Sequence, residues 1–295
     1  MKTKKEKQLK FGNILGQCYK DFRVAKGFSQ KEAASDDISI SQLSNFENGR
    51  TMLTSDVFIA TLQNINVTFL EFQNLYNKRL EPNDILLFNT EVSEAYMSRN
   101  ISKLEKLLSI ITDKISQVPN KKKFKLDKIK IQSLIASLDS DFQVSKSDIN
   151  FVKHYLYALK EWGQYDIWLF RHCFLLFDFI TTADLAQKMV DPTSINNDLH
   201  YTKHAMFQTL NNIISVSIND KMFSLAEKYI NYLENSNIHE YYLYDKLTLR
   251  YNKAMLAYKR GNKASIETLK ECKRMFEFCD CYYTANLIAQ EIKNL

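Results

Sequence analysis

Glycine and proline are scarce, at 6 and 3 of 295 residues. Tight hairpins depend on these two residue types, so a strand-rich topology would have few places to turn, and an all-α chain is expected. No apolar run is long enough to cross a bilayer. Met1 to Lys5 lead into Glu6 and Lys7 rather than the apolar core of an export signal, which predicts a cytoplasmic protein with no membrane partner. The five cysteines, Cys18, Cys173, Cys272, Cys279 and Cys281, are an odd number, and free thiols are expected. Walker, G-x-S-x-G and Rossmann signatures are missing. His200 and His204 stand four apart with no carboxylate or cysteine at a partnering position nearby. Cys272, Cys279 and Cys281 sit among Phe276, Phe278, Tyr282 and Tyr283, a setting that reads as core packing. The chain is therefore expected to be no enzyme, with no catalytic residue, no cofactor and no metal.

What is present is ordinary for a globular protein: 45% hydrophobic and 25% charged residues, which leaves no basis for disorder and allows one or two domains. Charge is uneven. Residues 1–30 hold eight basic and two acidic side chains, a balance of +6 that equals the formal charge of the whole chain. A basic start is the sequence-independent part of a DNA footprint, although a solvated tail has the same composition. Gly12, Gly16, Gly27 and Gly49 all fall in the first fifth, so punctuation also separates a head from the remainder.

Within that head, Gly27 to Arg50 (GFSQKEAASDDISISQLSNFENGR) reads as two short helices and a tight turn. Ser29 and Glu32 have the capping-box spacing, Ser39 caps a second helix, and Gly49 supplies the left-handed stop. In the second helix Leu43 and Phe46 share an inward face, which leaves Ser41, Gln42, Ser44 and Asn45 facing out. An outward face of short hydroxyls and amides, without Lys or Glu, is unusual for a merely soluble helix. Upstream, Ile14, Leu15, Cys18, Phe22 and Ala25 mark a helix over Phe11 to Lys26, and apolar periodicity marks two more over Thr51–Ile65 and Thr68–Tyr76.

Ser29-Gln30, Ala33, Ile38-Ser39, Leu43 and Phe46-Glu47-Asn48-Gly49 resemble the helix-turn-helix of phage-repressor-like DNA-binding domains. The resemblance implies a five-helix head whose second motif helix enters the major groove. It further implies a phosphate contact from Gln30 and a structural ion pair between Glu47 and Arg23. Asp36-Asp37 departs from the small turn residue usual there. Applied to this sequence, Asn45 would read adenine, Ile40 a thymine methyl, and Ser41, Gln42 and Ser44 neighbouring groups, while Gln30, Lys31 and Arg50 would hold phosphates.

Asn77 to Asn83 interrupts the periodicity around Pro82, which sets expected domains at 1–77 and 84–295 with a linker at 78–83. Helix follows helix beyond it, near 84–98, 102–117, 121–138, 147–162, 165–178, 181–190, 194–217, 220–234, 239–260 and 262–280, with a last one to 293. Similar short turns at Asn100, Gly163, Asp220 and Gly261 are separated by 63, 57 and 41 residues. No fixed period exists, so a degenerate right-handed solenoid of helix pairs, similar to tetratricopeptide repeats, is expected. Lys121, Lys122, Lys123, Lys125, Lys128 and Lys130 read as a solvated helix face, with a secondary DNA contact as the alternative. The groove of such a solenoid suits an extended peptide. Asn211, Asn212, Tyr251 and Asn252 are the candidates to bind its backbone, and Arg171 and Arg250 a terminal carboxylate, although surface or inter-helix roles fit the same residues.

Head, body length, helix order and the segment Glu161-Trp162-Gly163-Gln164-Tyr165-Asp166 together resemble the Rgg-type (MutR/GadR-like) transcriptional regulators of low-GC Gram-positive bacteria. That resemblance covers the full chain. It implies a homodimer that binds double-stranded promoter DNA and is controlled by a short signalling peptide, secreted and re-imported. Some members join their heads by a disulfide, but Ser55 stands about where that cysteine would be, so none is expected here. A protein-docking adaptor tethered to DNA by its head, with no peptide ligand, is the alternative.

Overall fold

A computed structural model describes residues 4–79, 85–118, 121–191 and 200–295, and contains helices and no strand among them. The chain divides into two compact units, Met1–Asn100 and Ile101–Leu295.

The first unit contains α1 (Lys4–Ala25), α2 (Gln30–Ala34), α3 (Ile40–Glu47), α4 (Ser55–Asn64), α5 (Phe69–Arg79) and α6 (Ile85–Met97). Its core gathers Cys18, Tyr19, Ala33, Leu43, Phe46, Leu62, Ile65 and Phe72, the apolar faces that periodicity marks on each helix. Phe46 is the hub. Its ring lies 5.8 Å from Tyr19 on α1 and 5.8 Å from Phe58 on α4, within the range where tilted aromatic pairs attract. The Tyr19 hydroxyl donates to the Thr61 carbonyl at 3.1 Å, so this buried phenol is satisfied. Helix α6, placed at the start of the body by the sequence, falls within the first unit, where Val92 and Ala95 are fully buried. Residues 80–83 of the expected linker lie outside the described residues.

The second unit runs α7 (Ile101–Gln117), α8 (Lys122–Leu138), α9 (Lys146–Tyr157), α10 (Gln164–Cys173), α11 (Phe179–Met189), α12 (His200–Asn219), α13 (Phe223–Asn235), α14 (Leu243–Lys259), α15 (Ile266–Phe278) and α16 (Tyr282–Lys293). Helices α8, α10, α12 and α14 pack on one another in succession, and α7, α13, α15 and α16 pack alongside. That is the helix-pair layout expected. Residues 194–199 of the helix expected over 194–217 lie outside the described residues, and α12 is described over His200–Asn219.

The segment from Glu161 to Asp166 shows how a short motif fixes one corner. Trp162 is 2% exposed, 5.6 Å from the Phe170 ring, and Asp166 caps α10 by accepting the Gly163 N–H at 3.1 Å. Tyr155 on α9 donates to the other Asp166 oxygen at 2.6 Å, so one carboxylate both starts α10 and ties α9 to it.

Two expectations fail on packing grounds. Lys130 is fully buried rather than solvated, because α8 is covered by α7 on one side and α10 on another. Cys272 is buried, but Cys279 is exposed, since it caps the end of α15 and faces away from the core.

Candidate functional site

The two motif helices are set by reciprocal caps. Ser29 Oγ accepts the Glu32 N–H at 3.2 Å while Glu32 accepts the Ser29 N–H at 2.7 Å. Ser39 and Gln42 repeat the arrangement at 3.2 and 3.3 Å, a capping box whose S-x-x-Q spacing stands in the sequence, where the Ser39 cap alone is expected. Gly49, at φ +69°, ends the motif.

With Leu43, Phe46 and Glu47 turned inward, α3 presents Ile40, Ser41 and Gln42 exposed, and Ser44 and Asn45 half-buried beside them. Ile40 is 48% exposed, a large apolar group in water at the start of an otherwise polar face. Lys31 and Arg50 are exposed at its flanks. The backbone behind it is held by charge. Glu47 accepts from Arg23 Nε at 2.5 Å and Nη2 at 2.9 Å, and Arg23 also donates to the Phe28 carbonyl at 2.7 Å. The hydrogen bond that Arg23 donates to Glu47 raises the Arg23 pKa further. Gln30 Nε2 donates to the same carboxylate at 2.8 Å, so part of the side chain assigned to phosphate already braces α2 against α3. Asp37 accepts from Asn64 at 2.9 Å, which ties one carboxylate of the unusual turn to α4.

In the second unit, the six residues assigned to peptide do not form one surface. Asn211 and Asn252 are 3% and 2% exposed. Asn252 Nδ2 donates to the Asn211 carbonyl and side-chain oxygen at 3.1 and 3.2 Å, and Asn211 Nδ2 donates to the Asp245 carbonyl at 3.3 Å. Their amides lock α12 to α14 and do not stand on a groove wall. Tyr251 is buried and donates to Glu291 on α16. Asn212 is exposed beside this seam. Arg250 is exposed on another side of α14, in a cleft between α13 and α15, whereas half-buried Arg171 on α10 donates to Gln208.

Around Arg171 a polar strip crosses α10, α12 and α14. Gln208 is 3.1 Å from His204 Nε2, which is 3.0 Å from Asp245 Oδ2. The carboxylate partner that His204 lacks in its sequence neighbourhood thus arrives from α14. Asp245 is 2% exposed, and burial raises its pKa against the opposing pull of His204 and Arg171. The His204 ring is stacked on Tyr242 at 4.9 Å. A second cluster lies at α8 and α10, where Lys130 Nζ sits 4.6 Å from the Trp168 ring centroid and 3.6 Å from Asp127, and Trp168 is 5.1 Å from His172. Burial lowers the Lys130 pKa. It also brings His172 down to about 3, helped by Arg171 and Lys130. Sequence reasoning named Arg171, His204 and Lys130 in other roles and missed Gln208, Asp245, Asp127, Trp168 and His172. The available signal was polar side chains recurring within apolar helix faces, at 204, 208 and 211 on α12 and at 245 and 252 on α14.

Fold and site define a class: a helix-turn-helix head with a mostly polar exposed face on its second motif helix, and a body of stacked helix pairs. The chain belongs to the Rgg family of HTH-type transcriptional regulators. The model for the Rgg C-terminal domain matches residues 108–290, and a helix-turn-helix model matches residues 20–72. Among solved structures it is similar to the SHP pheromone receptor Rgg2 of Streptococcus dysgalactiae (20% identity, 95% of this chain and 99% of that one, TM-score 0.79). It is also similar to PrgX in its complex with iCF10 (14%, 95% and 88%, TM-score 0.70). A third structure, described as a bacterial peptide pheromone/receptor complex, matches at 14% identity over 95% and 97%, with TM-score 0.71. No helix among the described residues is long and apolar enough to cross a membrane.

Proposed function

We propose that this regulator reads double-stranded promoter DNA as a homodimer through Ile40 to Asn45, and that a short peptide held on the second unit controls it. The observation that carries the first part is α3 itself: a polar face left open while Glu47, at its end, is fixed by Arg23 and Gln30. Two such helices about 34 Å apart would enter successive major grooves. Lys31 and Arg50 supply phosphate contacts. Support for the second part is the strip of partly exposed Arg171, Gln208 and His204 on α10 and α12, donors and acceptors suited to a peptide main chain, with buried Asp245 of α14 pairing with His204. Similar structures carry pheromone receptors and a pheromone complex in their descriptions. Binding rather than turnover, in the cytoplasm, is the work this reading assigns, with a DNA-binding unit and a peptide-binding, dimerising unit.

The test is isothermal calorimetry of the full chain with synthetic peptides from small open reading frames beside its gene, followed by footprinting with and without the peptide that binds. A micromolar peptide that changes DNA occupancy supports the reading. DNA binding that stands while every such peptide fails points instead to a body that docks another protein.

A further inference from the structure

The helix α14 has two chemically distinct sides. Asp245 and Asn252 face α12, whereas Lys246, Arg250 and Lys253 turn into the cleft between α13 and α15. That cleft has a volume of about 740 Å³, within the ~300–1,000 Å³ typical of small-molecule sites. Its apolar lining includes Leu233, Ile238, Leu247 and Ala254, all buried, and two exposed apolar side chains, Leu243 and Met275, stand at its mouth. Both are 49% or more exposed, so the cleft offers apolar surface that only an occupant would cover.

The charges of the lining are unbalanced. Lys253 is paired with Glu234, the one acidic side chain among the described residues that line the cleft, while Arg250 makes no side-chain hydrogen bond or ion pair among the described residues. Lys246, one helical turn before Arg250, adds a second cation to the same rim. A pocket of this size whose lining is half apolar and half polar, with at its edge a guanidinium that makes no side-chain bond among the described residues, matches a particular ligand chemistry. Guanidinium holds carboxylate through two parallel hydrogen bonds, and the apolar wall takes what is attached to it.

We propose that the cleft over α14 is a second binding site, taking a small amphipathic carboxylate whose acid group is clasped by Arg250 and whose apolar body lies between α13 and α15. This site is separate from the peptide strip on α10, α12 and α14, and it stands whether or not that strip binds peptide. Because α14 forms one wall of both, its occupant acts on the helix that the polar strip also grips.

The experiment is calorimetry of the full-length protein with decanoate below its micelle concentration, beside decanol and decyltrimethylammonium as probes with the same tail. Saturable one-site binding of decanoate, at least tenfold tighter than either neutral or cationic analogue, is expected. Arg250→Gln, an exposed substitution, should weaken it at least tenfold, and Thr268→Trp, which fills the cleft from its rim, should abolish it. Arg171→Gln should leave it unchanged. Decanol binding as well as decanoate, full affinity in Arg250→Gln, or no saturable binding at all would each overturn the proposal. A peptide with an apolar C-terminal residue serves as the other source of the same chemistry. If it displaces decanoate only when its carboxylate is free, the chemistry of the site is upheld; if it binds there and decanoate does not, a small-molecule site is refuted.

Discussion

Asn252 on α14 donates through one amide nitrogen to both oxygens of Asn211 on α12, at 3.1 and 3.2 Å, in a seam where each residue is at most 3% exposed. Removing one partner there strands the other. Asn252→Ala should destabilise the second unit by about 1–3 kcal/mol, because the Asn211 side-chain oxygen loses a protein partner without regaining water. Asn212→Ala, one residue away and exposed, should stay within about 0.5 kcal/mol. Both tryptophans, Trp162 and Trp168, lie in the second unit, so urea unfolding followed by their fluorescence reports the body alone. Equal midpoints for the two variants would show that the seam carries no stability.

Arg23 and Glu47 are the corresponding lock in the head. Arg23→Met leaves Glu47, 1% exposed, with a buried charge and only Gln30 to satisfy it. Breaking one side of a buried pair costs about 3–5 kcal/mol, while replacing both sides by apolar groups is often close to neutral. Thermal melts of the full chain by circular dichroism should therefore show an early head transition for Arg23→Met, largely restored in Arg23→Met/Glu47→Leu. A double variant as unstable as the single would refute the buried-charge account. Tryptophan fluorescence should stay unchanged in both.

Two glycines of the head should behave differently. A Cβ on Gly16 would lie 1.9 Å from the Phe46 carbonyl oxygen, a backbone atom that no rotamer change can move, so α1 and α3 could not approach as they do. Gly16→Ala is expected to cost about 3 kcal/mol or more and to abolish DNA binding. Gly27→Ala meets nothing within 4 Å but must hold φ at +77°, at a cost of about 1–2 kcal/mol. The order of the two melting temperatures checks this, and Gly27→Ala the less stable of the two would overturn it.

Much of the head was legible because its signals are local. Ser29 with Glu32, the Leu43–Phe46 face and Gly49 act within a few residues of themselves, and a sequence reads such distances directly. The layer of helix pairs was legible as well, since each amphipathic face needs a neighbour. The partners of the body's polar residues were not. Asn211 meets Asn252 across 41 positions, and His204 meets Asp245 across 41, so the two amides read as groove donors and His204 read as lacking a carboxylate partner. Lys130 looked solvated for a related reason: Asp127 stands three residues before it on α8, but the Trp168 ring that it meets comes from α10, and periodicity leaves such packing open.

His172 gives a pH dependence with a fixed sign. In the unfolded chain its imidazole titrates near ~6.5, whereas burial and the cations Arg171 and Lys130 bring it down to about 3 in the fold. A depressed histidine contributes stability that is present above the unfolded value and lost as pH falls from there towards about 3. Between pH 7 and pH 5 the loss should be up to about 2 kcal/mol, since each unit below the unfolded value is worth ~1.4 kcal/mol. His172→Gln should remove that part of the slope. Urea midpoints by tryptophan fluorescence at the two pH values decide it, and an unaltered slope in the variant would exclude His172 as its source.

The proposed reading face of α3 can be separated from its proposed phosphate anchors by salt and sequence together. Asn45 is half-buried at the C-terminal end of the face and carries an amide of the kind that pairs with adenine, whereas Lys31 is exposed on α2 with only charge to offer. Once an operator is mapped by footprinting, Asn45→Ala should lose roughly 1–3 kcal/mol of specific affinity and relax preference at one base pair, with nonspecific binding unchanged. Lys31→Ala should weaken all sequences alike and reduce the slope of log affinity against log salt by about one, because one phosphate fewer is neutralised. Fluorescence anisotropy on operator and scrambled duplexes across a salt series distinguishes these outcomes. If Asn45→Ala weakened both duplexes equally, the face of α3 would be an electrostatic platform and base reading would have to lie elsewhere in the head.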